Sequence, residues 1–550
     1  MLLDSKKSYR ENYDNFAWRI PEFYNIAHDV CDRHADSHNG VALIHDPGLG
    51  EVRTYTFRDI QRMANRLANL LVARGAKRGD RVMLLLSQDP FAAVGHVACW
   101  KAGLVSLPTS VLFGADSLVY RLNDSGAAFA LTDSENVEKL LEAKQSAPGL
   151  REVFLIDGNT SGATNLPAEL ERASDRFENV KTRAEDPAFF NYTSGTTGMP
   201  KGALQAHRSM IGHLPGAEMA FDFYPEHKDT IWSPADWSWV AGLMDVLMPF
   251  WHAGCTVIGS RTKKFDPEFA FRLMKRHDVK ATFLTPTTLR LMRQVAEKPT
   301  TPSLDLRVIL SGGEAVGAEL AEWTGKVLKA QLNEAFGQTE CNLMLGNNAG
   351  LIPVRYGSIG FATPGHVVDI VDDDGQVVPR GTEGHIAVKR PDPVMFLEYW
   401  NKPQATKDKY IGDWLITGDL GVRDEDGYFW FKGRADDVIT SSGYRIGPGE
   451  IEEAIARHAN VAMVAVVGVP DEQRTERIKA FVVLRDGKSG DEALAEEIKS
   501  FVSERLARHE MPREIAFVDS LPITTNGKII RRELRDKEIA AQKDRQEKSG

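Results

Sequence analysis

From the N-terminus to about residue 350, short apolar runs alternate with longer amphipathic stretches. Arg81 to Leu86 reads as a buried strand, as do Ala127 to Leu131, Val153 to Ile156, Thr282 to Leu284 and Val308 to Leu310. Between them, Phe57 to Arg74 places Ile60, Met63, Ala64, Leu67 and Leu71 on one face, which predicts an amphipathic helix. Strand–helix alternation of this kind predicts parallel α/β sheets. The most apolar run, Trp239 to Gly259, contains Asp245, Pro249, His252 and three glycines, so it predicts a buried helix running into a strand rather than a membrane span.

From Gly350 the texture changes. Alternating runs at Val367 to Val371, His385 to Val388 and Tyr428 to Phe431 are separated by turn clusters such as Asp372 to Gly375 and Asp424 to Gly427, which predicts an antiparallel barrel or small sheet. A last unit of roughly 115 residues, enough for an independent domain, begins after Gly433. In it Pro448 opens a helix with Ile451, Ala454 and Ile455 on one face, Val464 to Val469 and Ala480 to Leu484 read as strands, and Leu494, Ile498, Phe501 and Val502 mark another helix. The polar tail from Gln542 to Gly550 is expected to be disordered.

Length adds that 550 residues exceed one compact core, so two or more domains are expected. A net charge of −10 argues against a general nucleic-acid or membrane-surface role. The four cysteines are scattered with no CxxC pair, which suits a reducing cytoplasm, and the N-terminus turns polar at once, without the apolar core of a signal peptide.

The chemistry concentrates at Tyr192-Thr193-Ser194-Gly195-Thr196-Thr197-Gly198-Met199-Pro200-Lys201-Gly202, which follows the apolar pair Phe189-Phe190 and so leaves the end of a strand. Three glycines let backbone N–H groups approach oxyanions, and four hydroxyls with one lysine add donors and charge. A Walker A loop is excluded, because Pro200 stands where that motif needs glycine and Gly202 where it needs Ser or Thr. Composition alone also allows a Ser/Thr/Gly surface linker.

On these residues the chain resembles the adenylate-forming superfamily of acyl-CoA synthetases, luciferases and peptide-synthetase adenylation domains. Five further fragments follow in that family's order. Ser311-Gly312-Gly313-Glu314-Ala315 resembles the adenine-binding turn, and Glu334-Ala335-Phe336-Gly337-Gln338-Thr339-Glu340 the motif that stacks on adenine and ends in a magnesium-linked glutamate. Thr417-Gly418-Asp419 is similar to the ribose-binding motif, Gly433-Arg434-Ala435-Asp436-Asp437 to the interdomain hinge, and Asn526-Gly527-Lys528 to the catalytic-lysine motif.

The resemblance implies a large N-terminal domain, residues 1–433, of two α/β subdomains plus a small β-barrel. A smaller mobile α+β domain, 434–550, would turn about Asp436. It implies ATP, Mg2+ and coenzyme A as cofactor and co-substrates, with a small carboxylic acid as the remaining partner. Thr193, Ser194, Gly195, Thr196, Thr197, Gly198 and Lys201 would grip the β/γ-phosphates, and Glu340, beside Thr339, would hold magnesium. Gly313, Glu314, Ala315 and Glu334 to Thr339 would line the adenine and α-phosphate, Asp419 and Arg434 the ribose, and Arg445 the nucleotide or acyl group. Lys528 would bridge the carboxylate and α-phosphate during adenylation. After rotation, Ser442, Gly443 and Tyr444 would face the pantetheine, and Arg474 and Arg513 would hold CoA phosphates; a surface salt bridge is the equal alternative for Arg513.

For the acid, the acetate-specific relatives carry a bulky tryptophan beside the Gln-Thr-Glu, where this chain has Gly337. That predicts room for several methylenes, each worth about 0.8 kcal/mol when buried. Trp239 and Val240, with Gly312 and Gly337, are the expected acyl pocket. Trp239 and the wording from Ser442 to Pro448 are most similar to medium-chain acyl-CoA synthetases, so a medium-chain, branched or aromatic acid is expected. The alternatives are an amino-acid adenylation module, for which no carrier segment follows Lys528, a luciferase, and a catalytically silent nucleotide sensor on the same fold.

Overall fold

The amphipathic stretch read from the sequence is the helix Phe57–Ala73, begun by a reciprocal cap in which Thr56 and Asp59 satisfy each other's backbone N–H groups. Its apolar face, with Phe57, Ile60, Ala64, Leu67 and Leu71, is fully buried. The helix Pro90–Lys101 has no polar face and is buried nearly all round, with Asp89 as its cap and proline in its first turn.

This computed structural model describes all residues except 194–198, 261–264, 315, 436, 438, 442–443, 472–474, 486–487, 504–505, 507–509, 524–528 and 548–550, and except the side chains of 440, 444–445, 450 and 542–547. The chain divides into two units: Met1–Val368 with Val388–Leu415, and Asp369–Ala387 with Ile416–Gly550.

Two large sheets fill the first unit. One has eight strands in the order Glu398–Tyr399, Lys201–Ala206, Pro187–Thr193, Val105–Pro108, Arg81–Leu85, Phe129–Thr132, Glu152–Leu155 and Thr164–Asn165. The strands from Pro187–Thr193 onward pair in parallel, and the first two pairings are antiparallel. The other has nine strands, with a parallel centre that includes Ala281–Phe283, Val308–Gly312 and Gln331–Gln338, and antiparallel ends. A continuous apolar core holds Phe57, Trp100, Phe189, Trp237 and Trp251 at 0–1% exposure. Trp237 is therefore a packing residue. The run from Trp239 forms a π-helical turn, Ala241–Leu247, a helix, Met248–His252, and a strand, Val257–Gly259, as its pattern predicts. Among the described residues no helix is long and apolar enough to cross a membrane.

The second unit carries an antiparallel sheet built around Trp414–Arg423 and Phe429–Arg434, and a further five-stranded sheet centred on Thr475–Leu484. The helices Pro448–Ala456 and Glu492–Ser503 appear where the sequence places them. The mixed α/β class is borne out. Of the tail expected to be disordered, Gln542 to Glu547 instead continue a helix, Arg531–Glu547, and 548–550 lie outside the described residues. Arg535 pairs with Glu476 at 2.5 Å and Glu538 with the buried Lys479 at 2.8 Å, while Leu534 is buried. These contacts fix the first turns, after which each added residue extends the helix cheaply in a segment rich in Ala, Gln, Lys and Glu.

Candidate active site

The hairpin that carries the hydroxyl-rich loop alternates strictly. Phe190, Tyr192 and Leu204 enter an apolar cluster on one side, and Asn191 and Gln205 lie on the other, both buried. Thr193 ends its strand opposite Lys201, so the loop leaves a strand end as expected; Ser194 to Gly198 lie outside the described residues. Gly202 is required because a Cβ there would stand 2.4 Å from the Phe190 ring. The Asn191 amide donates to the Ser238 carbonyl at 3.0 Å, and the Gln205 amide to the Thr339 carbonyl at 2.5 Å. A carbonyl only accepts, so both amide oxygens point away from these partners, and neither has a hydrogen-bond partner among the described residues.

Thr339 and Glu340 form the two-residue turn between the strands Gln331–Gln338 and Cys341–Gly346, where Gln338 pairs with Cys341. Glu334 is buried, and its carboxylate accepts from the Val316 N–H at 3.3 Å; Ala335 lies in register beside Gly312. Gly313 takes a φ of 85°, and the Glu314 carboxylate accepts from Thr287 at 3.0 Å; Ala315 lies outside the described residues. Phe336, Gly337, Gln338 and Thr339 are half-buried, and Glu340 is buried. The Phe396 N–H donates to the Glu340 carbonyl at 2.9 Å, and the Tyr399 hydroxyl donates to the Glu340 carboxylate. The Tyr399 ring centre stands 5.2 Å from the Lys201 ammonium. One buried tyrosine thus meets both charged groups.

The candidate acyl wall starts at Trp239, half-buried, with its ring edge-on to Phe113 at 6.4 Å, and continues through the buried Val240 into the π-helical turn. Gly242 permits that turn to sit on the 235–236 backbone, because a Cβ would come within 2.2 Å of the Asp236 carbonyl. One turn on, Asp245 is buried and accepts from the Asn342 amide at 2.5 Å. Burial holds the Asp245 carboxyl well above the usual carboxylate range, and the Asn342 hydrogen bond pulls the other way.

In the second unit Asp419 and Arg434 face each other across adjacent strands, 3.2 Å apart. Gly418, with a φ of 82°, turns the chain between Thr417 and Asp419, and the Thr417 hydroxyl accepts from the Asp419 N–H at 3.1 Å. Tyr444 and Arg445 lie on a short strand paired with Ile439–Ser441, and their side chains, with Ser442 and Gly443, lie outside the described residues. So do Asp436, Arg474 and Lys528. Asp437, next to the expected hinge, pairs with Arg531 at 3.5 Å, and Arg531 also holds Glu452 at 2.6 Å. Arg513 is exposed, and its N–H donates to Ile478. His458 pairs with Glu497 at 3.1 Å and packs edge-on against Phe501.

A family model described as AMP-binding enzyme matches residues 31–400, and one described as AMP-binding enzyme C-terminal domain matches 450–528. The chain belongs to the AMP-binding enzyme family. It is 34% identical to the acetyl-coenzyme A synthetase of Bacillus subtilis (strain 168) over 97% of this chain and 95% of that one. It is also 34% identical to the mitochondrial acyl-coenzyme A synthetase ACSM3 of Pongo abelii, over 96% and 92%. Its fold matches the crystal structure of the anthranilate CoA ligase AuaEII with anthranoyl-AMP, with a TM-score of 0.87 and 26% identity, over 95% of this chain and 99% of that one. The expected enzyme class, an acyl-CoA synthetase working through an acyl-adenylate, is borne out at that level.

In this AMP-binding enzyme Gly337 is closely packed. A Cβ there would come within 2.4 Å of the Leu343 nitrogen and 2.7 Å of the Asn342 Cα. The strand pairing slips between Phe336 and Gln338, and Leu343 takes a φ of 52°, rare for a bulky residue. The space along the Cβ direction of Gly337 is filled by the facing strand of its own hairpin, so backbone packing requires glycine there. Three residues at the site went unread. Gln205 interrupts an apolar strand, and Asp245 an apolar run, so each carried a signal as a polar residue at a core position. Tyr399, amid Phe396, Leu397 and Trp400, carried none.

Proposed function

We propose that this enzyme joins a medium-chain, branched or aromatic carboxylic acid to coenzyme A at the expense of ATP, in two displacements at one site. In the first, a carboxylate oxygen attacks the α-phosphorus and the bond to pyrophosphate breaks. In the second, the CoA sulfur attacks the acyl carbon, the bond to AMP breaks, and the thiol proton goes to solvent. Both reactants of the first step are anions, so the residues' chief task is to position them and offset charge.

The observation that carries this reading is the buried Glu340 carboxylate, set by Tyr399 beside the strand that begins at Lys201. In it Thr193 to Thr197 with Lys201 bind the β- and γ-phosphates. Glu340 offers the hard oxygen donor that Mg2+ prefers, and such an ion is commonly held by one or two carboxylates plus substrate phosphates. When bound, the ion would neutralise phosphate charge. Glu334 to Thr339 with the Gly313 turn line the base, and Asp419, oriented by Arg434, accepts from the ribose hydroxyls. Lys528 brings a compact positive charge to the α-phosphate on a flexible stem. The segment from 434, turning at Asp436, then exchanges Lys528 for the Ser442-Gly443-Tyr444 face, with Arg474 and Arg513 on the CoA phosphates. The four free, buried cysteines fit a reducing cytoplasm.

An acid larger than acetate is supported by Trp239, whose half-exposed indole beside Val240 and Phe113 offers apolar surface that acetate would leave uncovered. The anthranoyl-AMP bound to the similar AuaEII agrees with an aromatic acid. The second reading is acetate itself, favoured by the 34% identity to an acetyl-coenzyme A synthetase. Pyrophosphate release across linear, branched and aromatic acids, from acetate to dodecanoate, with and without CoA, separates them. Highest kcat/KM on acetate overturns the larger-acid reading, and ATP binding without pyrophosphate release on any acid overturns the ligase.

A further inference from the structure

We propose that Tyr399 is a positioning residue that holds Glu340 and Lys201 apart and aimed, so that each stays available to the metal–nucleotide complex. This rests on the reading of Glu340 as the magnesium carboxylate. Tyr399 lies on the two-residue strand Glu398–Tyr399, in register with Ala203 of the Lys201 strand. Rungs on both sides fix it: the Leu397 N–H donates to the Leu204 carbonyl at 2.7 Å and the Trp400 N–H to the Gly202 carbonyl at 2.8 Å. Its own N–H donates to the Thr406 hydroxyl at 2.9 Å, and Phe396 packs edge-on against its ring at 4.8 Å.

In that fixed pose the phenol does two things at once. The hydroxyl donates to one oxygen of the Glu340 carboxylate, leaving the other oxygen to a cation, and the electron-rich ring face attracts the Lys201 ammonium. Were the ammonium and the carboxylate to meet directly, the ion pair would withdraw both from the phosphates. The tyrosine gives each a partner that a substrate can share. The Gln205 amide, bonded to the Thr339 carbonyl, holds the same turn from the next strand.

The two contacts can be separated, because Tyr399→Phe removes the hydroxyl and keeps the ring, whereas Tyr399→Leu removes both. Binding of Mn2+ to the full-length protein with a non-hydrolysable ATP analogue is followed by electron paramagnetic resonance, and binding of the analogue without metal by calorimetry. Tyr399→Phe is expected to weaken Mn2+ binding about tenfold, as loss of a hydrogen bond to a metal ligand does, with metal-free nucleotide affinity unchanged. Tyr399→Leu is expected to weaken the metal-free nucleotide about threefold in addition. Unchanged Mn2+ affinity in Tyr399→Phe overturns the proposal. So does a Tyr399→Phe protein that melts more than about 10 °C below wild type, a drop large enough to make the hydroxyl a stability group. If Glu340→Gln binds Mn2+ as wild type does, the reading of Glu340 fails instead.

Discussion

The carboxyl of Asp245 and the side-chain amide of Asn342 meet at 2.5 Å inside the first unit, joining the π-helical turn behind Trp239 to the strand that follows the Thr339–Glu340 turn. Burial raises the Asp245 carboxyl, so the folded protein keeps a proton there that the unfolded chain loses above about pH 4. Stability from this group is complete below that pH and falls as pH rises. Asp245→Asn keeps an acceptor for Asn342 and cannot ionise. It is expected to raise the denaturation free energy at pH 7, by about 1.4 kcal/mol for each pH unit above 4 over which Asp245 stays protonated, and to change little at pH 4. Urea unfolding at pH 4 and pH 7 checks this; an equal effect at both pH values would sink the idea.

Three buried histidines act in the opposite sense. Desolvation lowers His96 and His207 to about 3 and His213 to about 4, below the 6.5 of a free imidazole. The unfolded chain takes up these protons first, so the stability they allow is full above pH 6.5 and is lost as pH falls toward 4. Between those limits His213→Gln is expected to reduce the slope of unfolding free energy against pH by about 1.4 kcal/mol per unit. Chemical denaturation at several pH values measures that slope.

Gln205→Leu leaves the Thr339 carbonyl without its amide donor. A cost of about 1–3 kcal/mol in stability is expected for a buried acceptor left unsatisfied. A fall of about tenfold in kcat for pyrophosphate release is expected as well, because small misplacements of a reacting group are costly. Gln205→Glu, which has no amide to donate, should behave like the leucine variant; near-normal turnover in both would remove Gln205 from the site.

Trp239→Ala removes the half-buried indole that Phe113 supports. KM for the preferred large acid is expected to rise about tenfold or more from the lost apolar contact, with KM for ATP and CoA unchanged. Steady-state kinetics with each substrate varied in turn decides it, and a uniform fall in kcat would mark the tryptophan as structural.

Much of the architecture was legible because periodicity reports burial directly. The Phe57 helix and the Val308 strand needed only their own residues. Residues 542–547 were not legible as helix because their composition suits both disorder and helix, and the helix they continue is anchored upstream, where Arg535 and Glu538 meet the distant Glu476 and Lys479. At the site, Lys201 and Glu340 stood out as parts of long motifs. Tyr399 did not, since its meaning comes from a strand pairing across almost two hundred residues of chain. Gly337 was visible, but its packing against the 342–343 backbone was not, because a missing side chain looks the same in sequence whether it makes room for a ligand or for the backbone.

That last distinction bears on how such an enzyme could be retuned, in evolution or in the laboratory. Gly337 is wedged against the 342–343 backbone of its own hairpin, so no single substitution there is a graded dial for acid length. A lineage moving toward smaller acids would have to rebuild the hairpin around any new side chain before the pocket felt it. The proposed acyl wall at Trp239 has no such lock, and variation in acid preference among close descendants of this chain should accumulate there first.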